Sequence, residues 1–228
     1  MAIILSIETA TPKCSCALLR NGEVIINKES HEGQSHSTLL GTYVHDIMGL
    51  VRQNNFKLDA IAISNGPGSY TGLRIGVSEA KGLSYGLDIP MIAIPTLYIM
   101  ASIMKDKVEK DTLLCPMIDA RRMEVYAAIF NNSLNVIRNT SADIIDENSY
   151  SEILDFNKIV FFGNGSEKCK EVLTHKNAIF IEGIHPLASE MGILAEKAYS
   201  EKDFVNSAYF EPFYLKEFVA TIPKNKII

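Results

Sequence analysis

The sequence predicts an α/β fold of two tandem units, each running strand–strand–strand–helix–strand–helix, with the second unit reduced. Three observations carry this. First, Leu5-Ser-Ile-Glu-Thr-Ala, followed by Cys16-Ala-Leu-Leu-Arg-Asn-Gly-Glu-Val-Ile25, is echoed in the second half. The echo is Pro116-Met-Ile-Asp-Ala, followed by Ala127-Ala-Ile-Phe-Asn-Asn-Ser-Leu-Asn-Val-Ile137. Second, Ile61-Ala-Ile-Ser-Asn-Gly-Pro-Gly-Ser69 is echoed by Ile159-Val-Phe-Phe-Gly-Asn-Gly-Ser166. Third, segments of helical period follow these strands in order. A repeat this long marks two domains rather than an array. With 228 residues, 47% of them hydrophobic, the chain can bury a substantial core.

In chain order, the opening apolar strand ends at the acid Glu8, and Asn21-Gly22 is a type I′ hairpin signal joining two further strands. Residues 35–52 follow a helical period, with Ser35 as candidate N-cap. Leu39, Tyr43, Ile47 and Leu50 form one apolar stripe; Leu40, Val44, Met48 and Val51 form a second. Together they cover about half the circumference, more than a helix lying on a sheet needs. The excess predicts a partner on the second stripe. The run from Asp59 then reads as a buried strand entering a glycine turn. There Gly66 and Gly68 can take positive φ, and Ser69 or Thr71 can cap a helix running to Gly86. This turn is neither GxxxxGK[ST] nor a true GxGxxG, so by itself it is a weak phosphate signal.

On that helix Gly72, Gly76 and Ala80 lie four apart and form a strip without bulk, flanked by Leu73 and Val77. The strip suits close packing on the chain's own sheet, or docking of a second protein. A further helix from Pro95 to about Val108 leads into the second unit, which starts near Thr112 and has little of its first helix. Asn131-Asn132 marks its hairpin. A last helix lies at about residues 189–201 and would pack back on the first unit, as it does in relatives of this architecture. The units are thus residues 1–108, with the helix at about 189–205 returning to them, and 109–228.

The formal net charge of −5 argues against a stand-alone nucleic-acid binder. Arg121-Arg122 and Lys224/Lys226 are the local basic candidates, both too sparse for RNA affinity. Cys14, Cys16, Cys115 and Cys169 lack zinc spacing and read as buried, reduced thiols. The N-terminus has no basic n-region, and no apolar stretch is long enough to span a bilayer, so a cytoplasmic location is expected.

His31 and His36 stand five apart, unlike a helical metal pair, and predict no metal. Glu8 and Asp119 end equivalent strands and could face each other across a cleft, where two carboxylates can hold Mg²⁺ with phosphates. The simpler use is to accept backbone N–H groups of their own turns. Arg121 and Arg122 could hold a phosphate or a carboxylate, or bridge to Glu124. There is no HExxH and no assignable nucleophile–base pair.

Two facing α/β units of this kind resemble the actin-like ATPase superfamily, with its ribonuclease H-like repeats. Along nearly the whole chain the sequence resembles the TsaB (YeaZ) family. The residues carrying this are Ile7-Glu-Thr-Ala-Thr11, His36-Ser37, Gly66-Pro-Gly-Ser-Tyr-Thr-Gly-Leu-Arg-Ile-Gly76 with Ala80-Lys-Gly-Leu83, Asp119-Ala-Arg-Arg-Met-Glu-Val-Tyr126, Gly163-Asn-Gly165 and Pro212-Phe-Tyr-Leu215. The resemblance implies a non-catalytic subunit, a homodimer when alone. It would pair with the larger paralogue TsaD and with the P-loop ATPase TsaE to put threonylcarbamoyl on the adenosine next to the anticodon of tRNA.

In such a complex ATP and metal belong to the partners, no cofactor binds tightly here, and tRNA is met only through the complex. The resemblance places the partner interface on the first two helices: His36, Leu39, Leu40, Tyr43, Val44, Ile47, Met48, Thr71, Gly72, Leu73, Gly76 and Ala80. It leaves Glu8, Gly66, Gly68, Asp119, Gly163 and Gly165 around a vestigial nucleotide cleft. Two departures stand out. Glu8 replaces the usual Asp, which makes metal chemistry less favourable, and Tyr70 replaces the usual Phe. Two alternatives are an actin-like nucleotide-dependent enzyme using Glu8, Asp119 and the glycine turns, and a free-standing regulatory or protease-like homodimer.

Overall fold

A computed structural model describes residues 2–30 and 36–216. The Ser35 cap, the His31–His36 spacing and the Lys224/Lys226 pair therefore involve positions outside the described residues. Strands β1 (Ile3–Glu8), β2 (Ser15–Arg20), β3 (Glu23–Glu29), β4 (Ala60–Ser64) and β5 (Met91–Ile94) form one sheet in the order β3-β2-β1-β4-β5. Helices α1 (His36–Gln53) and α2 (Tyr70–Leu87) cover one face of it. The second sheet is built from β6 (Leu113–Asp119), β7 (Glu124–Phe130), β8 (Val136–Ile144), β9 (Ile159–Phe162) and β10 (Ala178–Ile181). Its order, β10-β9-β6-β7-β8, is the same topology read from the other edge. In both sheets the first strand is antiparallel to the second and parallel to the fourth.

The duplication is therefore real, but each unit carries a fifth strand beyond the expected pattern. Met91–Ile94 is a four-residue run held between Pro90 and Pro95, too short to separate from the helix that follows. The first helix of the second unit is reduced to α4, Ser151–Leu154. Asn21 and Gly22 both have positive φ, as a type I′ turn requires. In the β7–β8 loop the left-handed residue is Leu134 rather than either of Asn131 and Asn132.

Leu5, Ile7, Leu18, Ile61 and Ile63 pack under α1 and α2, while Ile4, Ala60, Ala62 and Ile92 fill the opposite face. That opposite face receives Met191 and Ala195 from the short turn Ala188–Met191 and from α5 (Gly192–Glu201). Helix α3 (Thr96–Met104) links the two sheets. Its Ile99 joins the first unit's core, while Leu97, Met100 and Met104 pack with Leu114, Ile118 and Phe162 of the second. A helix apolar all round is expected where both sides are covered. It ends at Met104, because Lys105, Asp106 and Lys107 have no face to bury.

Candidate functional site

Two places concentrate the residues singled out by the sequence: the cleft between the units, and the outer layer formed by α1 and α2. The cleft is a cavity of about 790 Å³. Ala10–Pro12 and Pro67–Thr71 of the first unit border it, facing Ile118–Arg122 and Asn164 of the second. The segment Phe213–Lys216 closes its side. This segment is tied to both units: the Phe213 N–H donates to the Asn65 carbonyl at 2.7 Å, and the Lys216 ammonium pairs with Glu124. The Tyr214 ring packs against Tyr70 with centroids 4.9 Å apart and planes tilted by 39°, and the Tyr70 ring also carries the Arg74 guanidinium at 4.3 Å.

Glu8 and Asp119 do not face each other. Glu8 is fully buried and does not line the cavity, whereas Asp119 is exposed within it. Each accepts the backbone N–H two residues further on, from Ala10 and from Arg121, as the simpler use predicts. Asp119 is also paired with Lys168, which donates to the Arg122 and Glu124 carbonyls as well. Burial lifts the Glu8 carboxyl to about 7, an effect only partly offset by the nearby Ser64 hydroxyl and by the Ala10 and Thr9 N–H groups. These residues do not fit a metal–nucleotide site: one acid is sealed off and, with its carboxyl lifted to about 7, still partly protonated near neutral pH, and the other is paired with a lysine.

The glycine turns are packed rather than open. Gly66 has φ +109°, and a β-carbon there would lie 2.7 Å from the Phe213 carbonyl oxygen. Gly68, expected to share positive φ, does not; its missing side chain makes room for Ala10. Gly163 and Gly165 let their turn close onto Met117 and Ile118. The Gly163 φ is +102°, and the Asp119 N–H donates to Asn164 Oδ1 at 3.2 Å.

Helix α2 begins as expected, with the Ser69 hydroxyl accepting the Gly72 N–H at 3.2 Å. Its small-residue strip turns inward. Gly72, Gly76 and Ala80 are buried, and side chains at Gly72 and Gly76 would run into the Thr9 carbonyl and hydroxyl. On α1 the buried residues are Leu40, Val44, Ile47 and Val51. Seven of the expected interface residues are thus core: Leu40, Val44, Ile47, Gly72, Leu73, Gly76 and Ala80. The two stripes on α1 were not one inner and one outer face. The sheet takes Ile47 from the first stripe and Leu40, Val44 and Val51 from the second, leaving Leu39, Tyr43, Met48 and Leu50 half-buried. His36, also half-buried, bonds the Thr11 carbonyl at 2.8 Å, and Thr71 is exposed.

The outward surface has its own small residues. Gly41 and Gly49 on α1, and Gly82 and Gly86 on α2, have nothing within 4 Å of where a β-carbon would sit. Glycine inside a helix costs about 1 kcal/mol relative to alanine, and the chain's own packing gives no reason for these four. Tyr85, 88% exposed, stands between the last two in sequence. Sequence reasoning passed over these positions because it followed the strip Gly72, Gly76 and Ala80, although Gly82 and Gly86 keep the same four-residue spacing further along the helix.

Among the described residues no three His, Cys, Asp or Glu side chains converge as a metal site, and no helix is long and apolar enough to cross a membrane. The four cysteines are buried and free, and burial pushes the Cys14 and Cys169 thiols up to about 11.

Two stacked α/β repeats around a cleft, with a helix bridging the sheets, define the actin-like class of fold. A family model described as TsaD, tRNA N6-adenosine threonylcarbamoyltransferase, matches residues 24–224. The Escherichia coli K12 tRNA threonylcarbamoyladenosine biosynthesis protein TsaB is 31% identical, over 95% of this chain and 96% of its own length. The Bacillus subtilis 168 protein of the same name is 30% identical over 93% of each. The solved structure of YeaZ from Pseudomonas aeruginosa superposes with a TM-score of 0.77 at 24% identity, covering 94% of this chain and all of that one. The chain belongs to the TsaB (YeaZ) family of tRNA threonylcarbamoyladenosine biosynthesis proteins.

Proposed function

We propose that this chain is a non-catalytic subunit that pairs with TsaD and activates it for threonylcarbamoyl transfer to the adenosine next to the anticodon. The observation that carries this is likeness over the full length to TsaB proteins, joined to a cleft whose two strand-end acids are spoken for. ATP and metal then act on TsaD and TsaE, and tRNA is met through the complex. The surface offered to TsaD is the outer side of α1 and α2, where Gly41, Gly82 and Gly86 let another backbone come close and Tyr85 supplies exposed aromatic area. The same face serves a homodimer when TsaD is absent.

The test is light scattering after size exclusion of the chain mixed with its cognate TsaD. A one-to-one complex is expected, and it is expected to weaken at least tenfold with Gly82→Arg while circular dichroism stays unchanged. Failure to form any complex, or equal binding by the variant, contradicts the proposed pairing face.

A further inference from the structure

The chain from Val205 to Lys216 forms no helix and no strand of either sheet, yet it runs from the edge of the first sheet to the second unit. At its start the Val205 N–H donates to the Met91 carbonyl at 2.9 Å, an isolated bridge on the outer strand β5. Asn206 Oδ1 then accepts the Ala208 N–H at 3.0 Å, which turns the chain toward α2. There Val205 and Phe210 pack on the first unit's core, and the Lys81 ammonium donates to the Ala208 and Phe210 carbonyls. Further on, the segment passes so close to Gly66 that only a residue without a side chain fits beneath the Phe213 carbonyl. Arg74 Nε donates to the Tyr214 hydroxyl at 3.4 Å. The last tie crosses to the second unit, where Lys216 pairs with Glu124 of β7. A terminal segment is ordered only where it is tied down, and here the ties reach both units.

The other link between the units is of a different kind. Helix α3 packs into both cores but does not line the cleft. The strap borders the cleft itself, with Phe213–Lys216 on its wall. Units of one chain move against each other unless something fixes them. We propose that residues 205–216 are a clasp: α3 is the hinge between the two units, and the strap holds the cleft closed from its open side. Lys81 anchors the strap to α2 and Lys216 latches it to β7, so that losing both lets the units swing apart. Bonds from an ammonium to carbonyl or carboxylate oxygens are stronger than neutral ones, which suits both lysines to the task. The clasp stands on its own geometry, whether or not the chain activates a transferase.

The test is the distance between nitroxide labels on Thr42→Cys of α1 and Asn139→Cys of β8, both exposed, measured on the full chain by double electron–electron resonance. The four native cysteines are buried and stay unlabelled. A single narrow distribution is expected before any lysine is changed. Lys81→Met/Lys216→Met keeps two long side chains without their charge; it should at least double the width of the distribution with an unchanged circular dichroism spectrum. Lys216→Met alone removes one ion pair at the surface, so it tests the latch even if the double variant fails to fold, and it should broaden the distribution in the same way. Lys158→Met, which removes the pair with Glu109 away from the cleft, should change nothing. A distribution already broad at the outset, one unmoved by the Lys216 variants, or equal broadening by Lys158→Met overturns the proposal.

Discussion

Glu8 and Asp119 end equivalent strands and each accepts the N–H two residues on, yet only Asp119 reaches solvent. The difference sets their chemistry. A carboxyl lifted from 4.5 to about 7 by burial binds its proton more tightly in the folded state than in the unfolded one. Its contribution to stability is therefore complete below pH 4.5 and is lost as pH rises through about 7, a total of about 3 kcal/mol. Glu8→Gln should remove that part of the pH dependence. In urea unfolding, the gap between variant and native protein should move in the variant's favour from pH 4.5 to pH 8. A gap independent of pH would show that Glu8 does not titrate in this window. The sequence made the strand-end position of both acids legible, because each ends an apolar run. It could not show which of them would be covered, since the groups around Glu8, among them Ser64 and Cys14, come from other parts of the first unit and meet it only in the fold.

At the scale of the element, α2 shows where pattern reading stops. Its periodicity fixed the helix, the Ser69 cap and the small-residue strip, all of which the structure contains. The direction of the strip was open, because a helix line of glycines lets either a sheet or a partner approach. Thr9 decides it: the β1–β2 turn presses into the space at Gly72 and Gly76. Gly76→Arg should therefore unfold the chain rather than merely unpair it, costing more than about 3 kcal/mol by overpacking a tight core. Gly82→Arg, six residues along on the open side, should be neutral or slightly stabilising through helix propensity. Chemical denaturation of the two variants checks both. A stable Gly76→Arg would mean that the strip is not core. Strand β5 was missed for a related reason: a four-residue run carries no period.

For the whole molecule, the sequence duplication foretold the two sheets with a shared topology. What it left unseen is the closing of the cleft by Phe213–Lys216, since a tail without periodicity gives no sign of where it lies. Lys81 shows how firmly that region is held: its ammonium donates to the Ala208 and Phe210 carbonyls, both at 3.1 Å, just before the tail enters the cleft. A molecule with its glycine turns packed, its first acid sealed and its outer helices bearing unexplained glycines suits assembly better than solitary catalysis. The measurement that tests this most directly is threonylcarbamoyl transfer to tRNA by the cognate TsaD and TsaE, supplied with threonylcarbamoyl-adenylate, with and without this chain. Transfer is expected to require the chain and to survive Glu8→Gln; full transfer without the chain would overturn the accessory role.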